Sequence, residues 1–309
     1  MKISILGAAG CIGSSTSFLI ATQCLADELV MIGGKHLDAL NQYVFDLSTA
    51  MSSENIVVRA GKYEDMLNSD IVIMSAGAPQ GIVSSRMEWL SANLNLFQHI
   101  GNKIVDFCPK AIVITVTNPV DPFNYGMYLL SKNKDRSKYI GYSANDTFRF
   151  RIMSAEELKV MPYRVNGIVI GEHGESQVLL FSSLQLDGNK IDITESFKRN
   201  IKTRIPSILQ TLESFKSKTG RTAGWTSAVG ITAICRAIRR NSGEVLPCSA
   251  VLDGEYGARN LSMSVPAAIG KEGIREIKEL DLADDEKEGI KHTINYLSPY
   301  MRRIEESFQ

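Results

Sequence analysis

The sequence predicts an α/β protein in two parts, a doubly wound parallel sheet over residues 1–142 followed by an α+β domain over 143–309. Three observations predict it. The first half alternates short β-branched runs with stretches of helical period. Those runs show little polar alternation, as expected of strands covered on both faces. Past about residue 146 the strict alternation loosens into longer, mixed elements.

In order, strands are expected at 3–6, 28–32, 55–59, 70–75, 111–116 and 138–141. Helices are expected at 12–24, 37–50, 87–107 and 122–131, where apolar residues recur at helical spacing. Right-handed crossovers through those helices give the economical winding, and ligands on such a sheet sit beyond the carboxyl ends of its strands. The second half predicts a helix at 147–158, strands at 165–170 and 177–185, and long helices at 194–218 and 226–240. Pro206 inside the first of these predicts a kink or a split. Strands at 246–252 and 260–267 and a closing helix at 284–307 complete the domain. No Gly/Ser linker separates the halves, so extensive contact with the site between them is expected.

Composition narrows the function. With 309 residues, 44% apolar and 22% charged, the chain can bury a sizeable core and is not a disordered tail. Its 34 basic and 34 acidic side chains give no electrostatic case for nucleic acid. The apolar runs fall far short of the roughly 18–20 residues of a membrane span, and the N-terminus enters a strand rather than a signal peptide, so a cytoplasmic protein without a membrane partner is expected. Five cysteines, at 11, 24, 108, 235 and 248, form no CxxC pair and no metal spacing; free thiols and no metal are expected.

Four segments carry chemistry. Gly7, Gly10 and Gly13 lie between the first strand and the first helix, where a tight turn and free helix N–H groups suit a pyrophosphate. With Cys11, Ile12, Ala76 and Gly77 they form the expected dinucleotide cradle. The second strand ends in Gly33-Gly34-Lys35-His36 without the acidic residue that usually bonds the adenosine ribose. A carboxylate there would repel a 2′-phosphate by about 4 kcal/mol at ~4 Å and an effective dielectric of ~20. Its absence, with Lys35 and His36 available as cations, favours NADP over NAD. Asn118, in Val116-Thr117-Asn118-Pro119-Val120-Asp121, sits at a strand's carboxyl edge, where it can bond ribose, nicotinamide or a substrate oxygen. Finally, His173 lies between glycines at a strand end. Asp146 and Arg149 share a helix face earlier in the chain.

A histidine charged by a carboxylate delivers a proton at neutral pH, and a guanidinium fork grips a carboxylate bidentately. Both suit hydride transfer to a 2-oxo acid. The small-residue loop 75–86, ending in Arg86, has the character of a lid whose arginine polarises the carbonyl.

Together these segments resemble the lactate/malate dehydrogenase family over nearly the whole chain, in the family's order and close to its spacing. The resemblance implies a Rossmann-type NAD(P) domain, an L-2-hydroxy acid substrate and a homodimer or homotetramer. It implies His173 as acid/base, Asp146 as its orienting partner, Arg149 as carboxylate clamp, Arg86 as lid arginine, and Asn118 near nicotinamide and substrate. The longer glycine loop is similar to that of malate dehydrogenases, and Gly33 is similar to members that accept NADP(H). The lid points elsewhere. Malate dehydrogenases carry an arginine where this chain has Gln80, the residue type of lactate dehydrogenases. Ala223 follows the malate pattern, while nearby Arg221 and Trp225 can reshape the pocket. Oxaloacetate, pyruvate and other 2-oxo acids therefore stay open. A glycosidase of the NAD-dependent type, on a related fold, would need a Cys/His metal pair beside residues 116–119 that the sequence does not supply. A binding module without catalysis would not need His173, Asp146, Arg149 and Arg86.

Overall fold

The structure is a computed structural model that describes residues 1–34, 37–77, 86–219 and 223–308; of residues 86, 209, 212, 213 and 216–219 it describes the backbone alone. Its first half is β1 Lys2–Leu6, α1 Cys11–Thr22, β2 Glu28–Ile32, α2 Leu37–Ala50, β3 Val57–Gly61, β4 Ile71–Met74, α3 Arg86–Phe107, β5 Ile112–Thr115, α4 Val120–Leu130 and β6 Tyr139–Gly141. The second half is α5 Ala144–Leu158, β7 Val165–Gly171, β8 Gln177–Leu186, β9 Asn189–Lys190, α6 Glu195–Thr219, α7 Trp225–Arg240, β10 Glu244–Asp253, β11 Arg259–Gly270, β12 Gly273–Ile277 and α8 Asp284–Ser307.

The first six strands run parallel in the order β3-β2-β1-β4-β5-β6, the Rossmann arrangement. Alternate side chains feed two different cores. Ile3, Ile5, Leu29, Met31, Ile71 and Ile73 pack on one face, and Leu6, Val30, Ile32, Val72 and Met74 on the other. That two-sided burial is why the strand sequences lack polar alternation. The order reverses between β1 and β4, and the loops leaving those strands meet: a Cβ on Gly7 would lie 2.7 Å from the Ala76 nitrogen.

The sheet does not stop at the predicted boundary. β10 pairs antiparallel with β6 through Ser249↔Gly141 and Ala250↔Ile140, and β11, β7, β8 and β9 continue outward. The halves thus share one sheet path, and α7 packs along α1. A third core, including Phe150, Phe181 and Phe197, stabilises the outer half.

The split expected at Pro206 does not occur. α6 runs unbroken through Pro206, which removes one backbone donor without splitting the helix; buried Ile201 and Ile205 anchor that stretch to the third core. β12 was not expected, because Arg275 and Glu276 interrupt its apolar pattern; it pairs with β11 after a turn at which Gly273 has φ +104°. All five cysteines are free, with Cys108, Cys235 and Cys248 buried. Among the described residues no helix is long and apolar enough to cross a membrane.

Candidate active site

The glycine turn is fixed by its own backbone. Gly7 has φ +83°, and a Cβ on Gly13 would lie 2.3 Å from the Gly7 carbonyl oxygen. Neither position accepts a side chain. Gly10 caps α1 with no side-chain acceptor, and the first turn holds no acidic residue, so the N–H groups at Cys11, Ile12 and Gly13 meet no side-chain cap. The Gly7 and Ala8 N–H groups donate to the Ile32 carbonyl at 2.9 and 3.1 Å, tying the turn to the end of β2. Gly33 and Gly34 follow directly. These residues fit a dinucleotide: a tight loop, a helix start suited to an anion, and a strand end with room beside it.

Opposite, the imidazole is held from two sides. Asp146 lies in the first turn of α5, and Thr147 beside it accepts the Val169 N–H at 3.0 Å, fixing α5 against β7. Asp146 Oδ2 lies 2.5 Å from His173 Nδ1, and Asp146 Oδ1 accepts from Arg149 Nη1 at 2.9 Å. An ionised carboxylate only accepts, so Nδ1 carries the hydrogen and Nε2 is left as the exchanging nitrogen. The Asp146 side chain is 7% exposed and that of His173 15%, which strengthens their attraction over that of a surface pair.

The His173 backbone is held too. Its N–H donates to Asp121 Oδ2 at 2.7 Å, and Asp121 Oδ1 accepts from Ser249 Oγ at 2.6 Å. Burial pushes the Asp121 carboxyl up to about 7, against the lowering effect of those two donors. Neighbouring Glu172, also buried, accepts from the Ser176 N–H and hydroxyl at 2.7 and 2.8 Å. Asn118 is exposed at the end of β5, its carbonyl accepting from Trp89 Nε1 at 2.7 Å. Thr117 Oγ1 donates to the Ala76 carbonyl at 2.6 Å, joining the loops after β4 and β5.

The structure therefore brings together His173, Asp146 and Arg149, and separately Gly7, Gly10, Cys11, Ile12, Gly13, Ala76 and Gly77. Lys35, His36, Gln80, Arg221 and the Arg86 side chain lie outside the described residues. Sequence reasoning quoted Asp121 without assigning it a part. The signal was present: a carboxylate flanked by Val120, Pro122 and Phe123 in a helix's first turn is a buried charge in need of donors.

A glycine turn at the switch point of a parallel sheet, with a carboxylate-paired histidine at the neighbouring strand ends, defines a dinucleotide-dependent oxidoreductase. Comparison makes the class specific. The family model for the lactate/malate dehydrogenase NAD binding domain matches residues 1–141, and that for the family's alpha/beta C-terminal domain matches 145–308. This chain belongs to the lactate/malate dehydrogenase family. Malate dehydrogenase of Natronomonas pharaonis is 33% identical over 98% of this chain and 99% of its own. L-lactate dehydrogenase 1 of Clostridium acetobutylicum is also 33% identical, over 94% of each. The crystal structure of Cryptosporidium parvum malate dehydrogenase superposes with a TM-score of 0.89 at 28% identity, covering 99% of both chains.

Proposed function

We propose that the protein is an NAD(P)-dependent L-2-hydroxy acid dehydrogenase of the malate type, interconverting oxaloacetate and L-malate, with NADP(H) accepted. The observation that supports it most is Asp146, whose two oxygens engage His173 Nδ1 and Arg149 Nη1 at once. One carboxylate thereby orients a proton carrier and a carboxylate-binding fork toward a common place. A bound nicotinamide supplies the hydride. His173, protonated, gives its Nε2 proton to the substrate oxygen as the carbonyl carbon becomes tetrahedral, and Asp146 stabilises the imidazolium beforehand. Arg149 holds the substrate's 1-carboxylate, each charged hydrogen bond contributing about 1.5–3 kcal/mol. Asn118 faces nicotinamide and substrate, and Arg86 polarises the carbonyl from the lid. The net reaction consumes a 2-oxo acid, NAD(P)H and a proton and yields the L-2-hydroxy acid and NAD(P)+.

NADP(H) use is supported at the end of β2. Gly33 leaves no carboxylate there and, among the described residues beyond its chain neighbours, nothing lies within 4 Å of a Cβ placed on Gly34, with Lys35 and His36 next in sequence as cations. Gln80 favours a second reading, reduction of pyruvate or another 2-oxo acid with a neutral side chain, because a second carboxylate against Gln80 would lack a counter-charge. NADPH and NADH assayed across oxaloacetate, pyruvate and other 2-oxo acids decide between them: oxaloacetate is expected to lead. Gln80→Arg should raise the oxaloacetate-to-pyruvate ratio of kcat/KM by about tenfold or more. No oxidation of either coenzyme with any acid defeats the dehydrogenase reading. A homodimer or homotetramer is supported by Phe18 of α1 and Phe45 of α2, 55% and 74% exposed; sedimentation showing a monomer at micromolar concentration would refute it.

A further inference from the structure

Asp121 is the strongest buried group that the proposed mechanism leaves unused. It is 2% exposed, in the first turn of α4, three residues beyond Asn118. A helix start favours a carboxylate, yet this one spends its two oxygens elsewhere, on the His173 N–H and the Ser249 hydroxyl. Ser249 is itself backed by Ser262 at 2.8 Å, and Ser262 by Asn124 of α4 at 2.9 Å. A closed polar network thus joins α4, β10, β11 and the backbone of the acid/base residue.

Resting on the dehydrogenase reading, we propose that Asp121 is a positioning residue for proton transfer: its buried negative charge, carried on the His173 backbone, keeps the imidazole protonated at the pH where a 2-oxo acid is reduced. Among the described residues, the charged and titratable groups around this pair include Asp146 and Arg149 on α5, Tyr142 just before α5, Glu172 beside His173, and Tyr296 of α8, which interacts with Glu172. Asp146 and Arg149 offset one another in part, so a second carboxylate is felt at the ring. Asp121 also acts through geometry. It links the Asn118 loop to His173, fixing the proton donor relative to the strand end where the substrate lies.

Retaining this charge opposes stability. Burial raises the carboxyl from 3.8 to about 7, so the folded chain binds its proton more tightly than the unfolded chain. The cost of the ionised form is full above pH 7 and is gone below the unfolded value. A purely structural brace has no need of that cost, because asparagine makes the same two bonds uncharged: its oxygen accepts the His173 N–H and its amide donates to Ser249, which can donate in turn to Ser262.

Asp121→Asn therefore separates charge from shape. The alkaline limb of kcat/KM for 2-oxo acid reduction should fall by roughly half a pH unit or more, and the rate ratio of parent to variant should grow from near unity at pH 5.5 to about threefold or more at pH 8.5. At pH 8 the variant should melt higher by about 2 °C or more, with the gap narrowing toward pH 5. In the protein without coenzyme, the NMR titration midpoint of the His173 ring, assigned by its loss in His173→Asn, should fall by the same amount as the alkaline limb. Ser249→Ala, which removes one donor and raises the Asp121 carboxyl further, should move the midpoint in the same direction by less, and carries the test should Asp121→Asn not fold. An unchanged midpoint, or a variant slower by one constant factor at every pH and less stable at pH 8, overturns the proposal. The ring titration needs no turnover, so failure of the dehydrogenase reading in the substrate panel would be seen separately.

Discussion

Around His173 the carboxylates of Asp146, Asp121 and Glu172 are all nearly buried, each held by two hydrogen-bonded groups, while the end of β2 presents Gly33 and Gly34, bounded by backbone and by Leu40. The reacting end is over-determined. The groups that hold those carboxylates come from α5, β10 and the turn after β7. The coenzyme end, among the described residues, is built on glycines instead. Proton transfer tolerates little displacement, so its groups are fixed by buried networks, whereas recognition of an adenosine phosphate needs an open strand end and charge of the right sign.

The largest effect should come from breaking the over-determined end. His173→Asn is expected to lower kcat by 10³-fold or more, roughly the scale of a lost general acid, while dinucleotide affinity by fluorescence titration stays within about threefold. Loss of coenzyme binding would show that the two ends are not independent. Arg149→Lys comes next. It keeps a positive charge near Asp146 but loses the planar fork, so KM for the 2-oxo acid should rise by about 10²-fold, with a smaller fall in kcat. A change confined to kcat would place Arg149 in orienting Asp146 rather than in gripping substrate.

Much of this contrast is legible in the sequence, and the unread part has a physical cause. β2, α2 and α8 lie at the expected residues because their apolar residues recur at strand or helical spacing, and β2 ends directly on Gly33 and Gly34. His173, Asp146 and Arg149 could be paired because a carboxylate with an arginine one helical turn away on the same face suits an imidazole at a strand end. The joining of β6 to β10 was not legible, since it rests on a two-residue pairing, Ser249↔Gly141 and Ala250↔Ile140, across more than a hundred residues of chain. Asp121 escaped for a related reason. Its partners, His173 and Ser249, are 52 and 128 residues away, so the apolar flanks that mark it as buried do not say which groups it accepts from.

The smallest effect tests the open end. Gly33→Asp restores a carboxylate at the position where NAD-specific sites carry one. An added Cβ would meet Leu40 Cδ2 at 3.0 Å, so Leu40 must yield by a few tenths of an ångström; Gly33→Ala controls for that shift. Because position 33 is only half-buried, screening cuts the repulsion of a 2′-phosphate well below its value at close range, leaving about 1.4–2.7 kcal/mol. The NADPH-to-NADH ratio of kcat/KM should accordingly drop by about 10- to 100-fold in Gly33→Asp and stay unchanged in Gly33→Ala. A ratio within twofold of the parent in both variants would mean that the end of β2 does not sense the 2′ position, and that discrimination between the coenzymes lies elsewhere on the adenosine. A drop of the same size in both would show that the glycine is kept for its packing against Leu40, in which case the coenzyme end is as tightly determined as the reacting end and the contrast between them disappears.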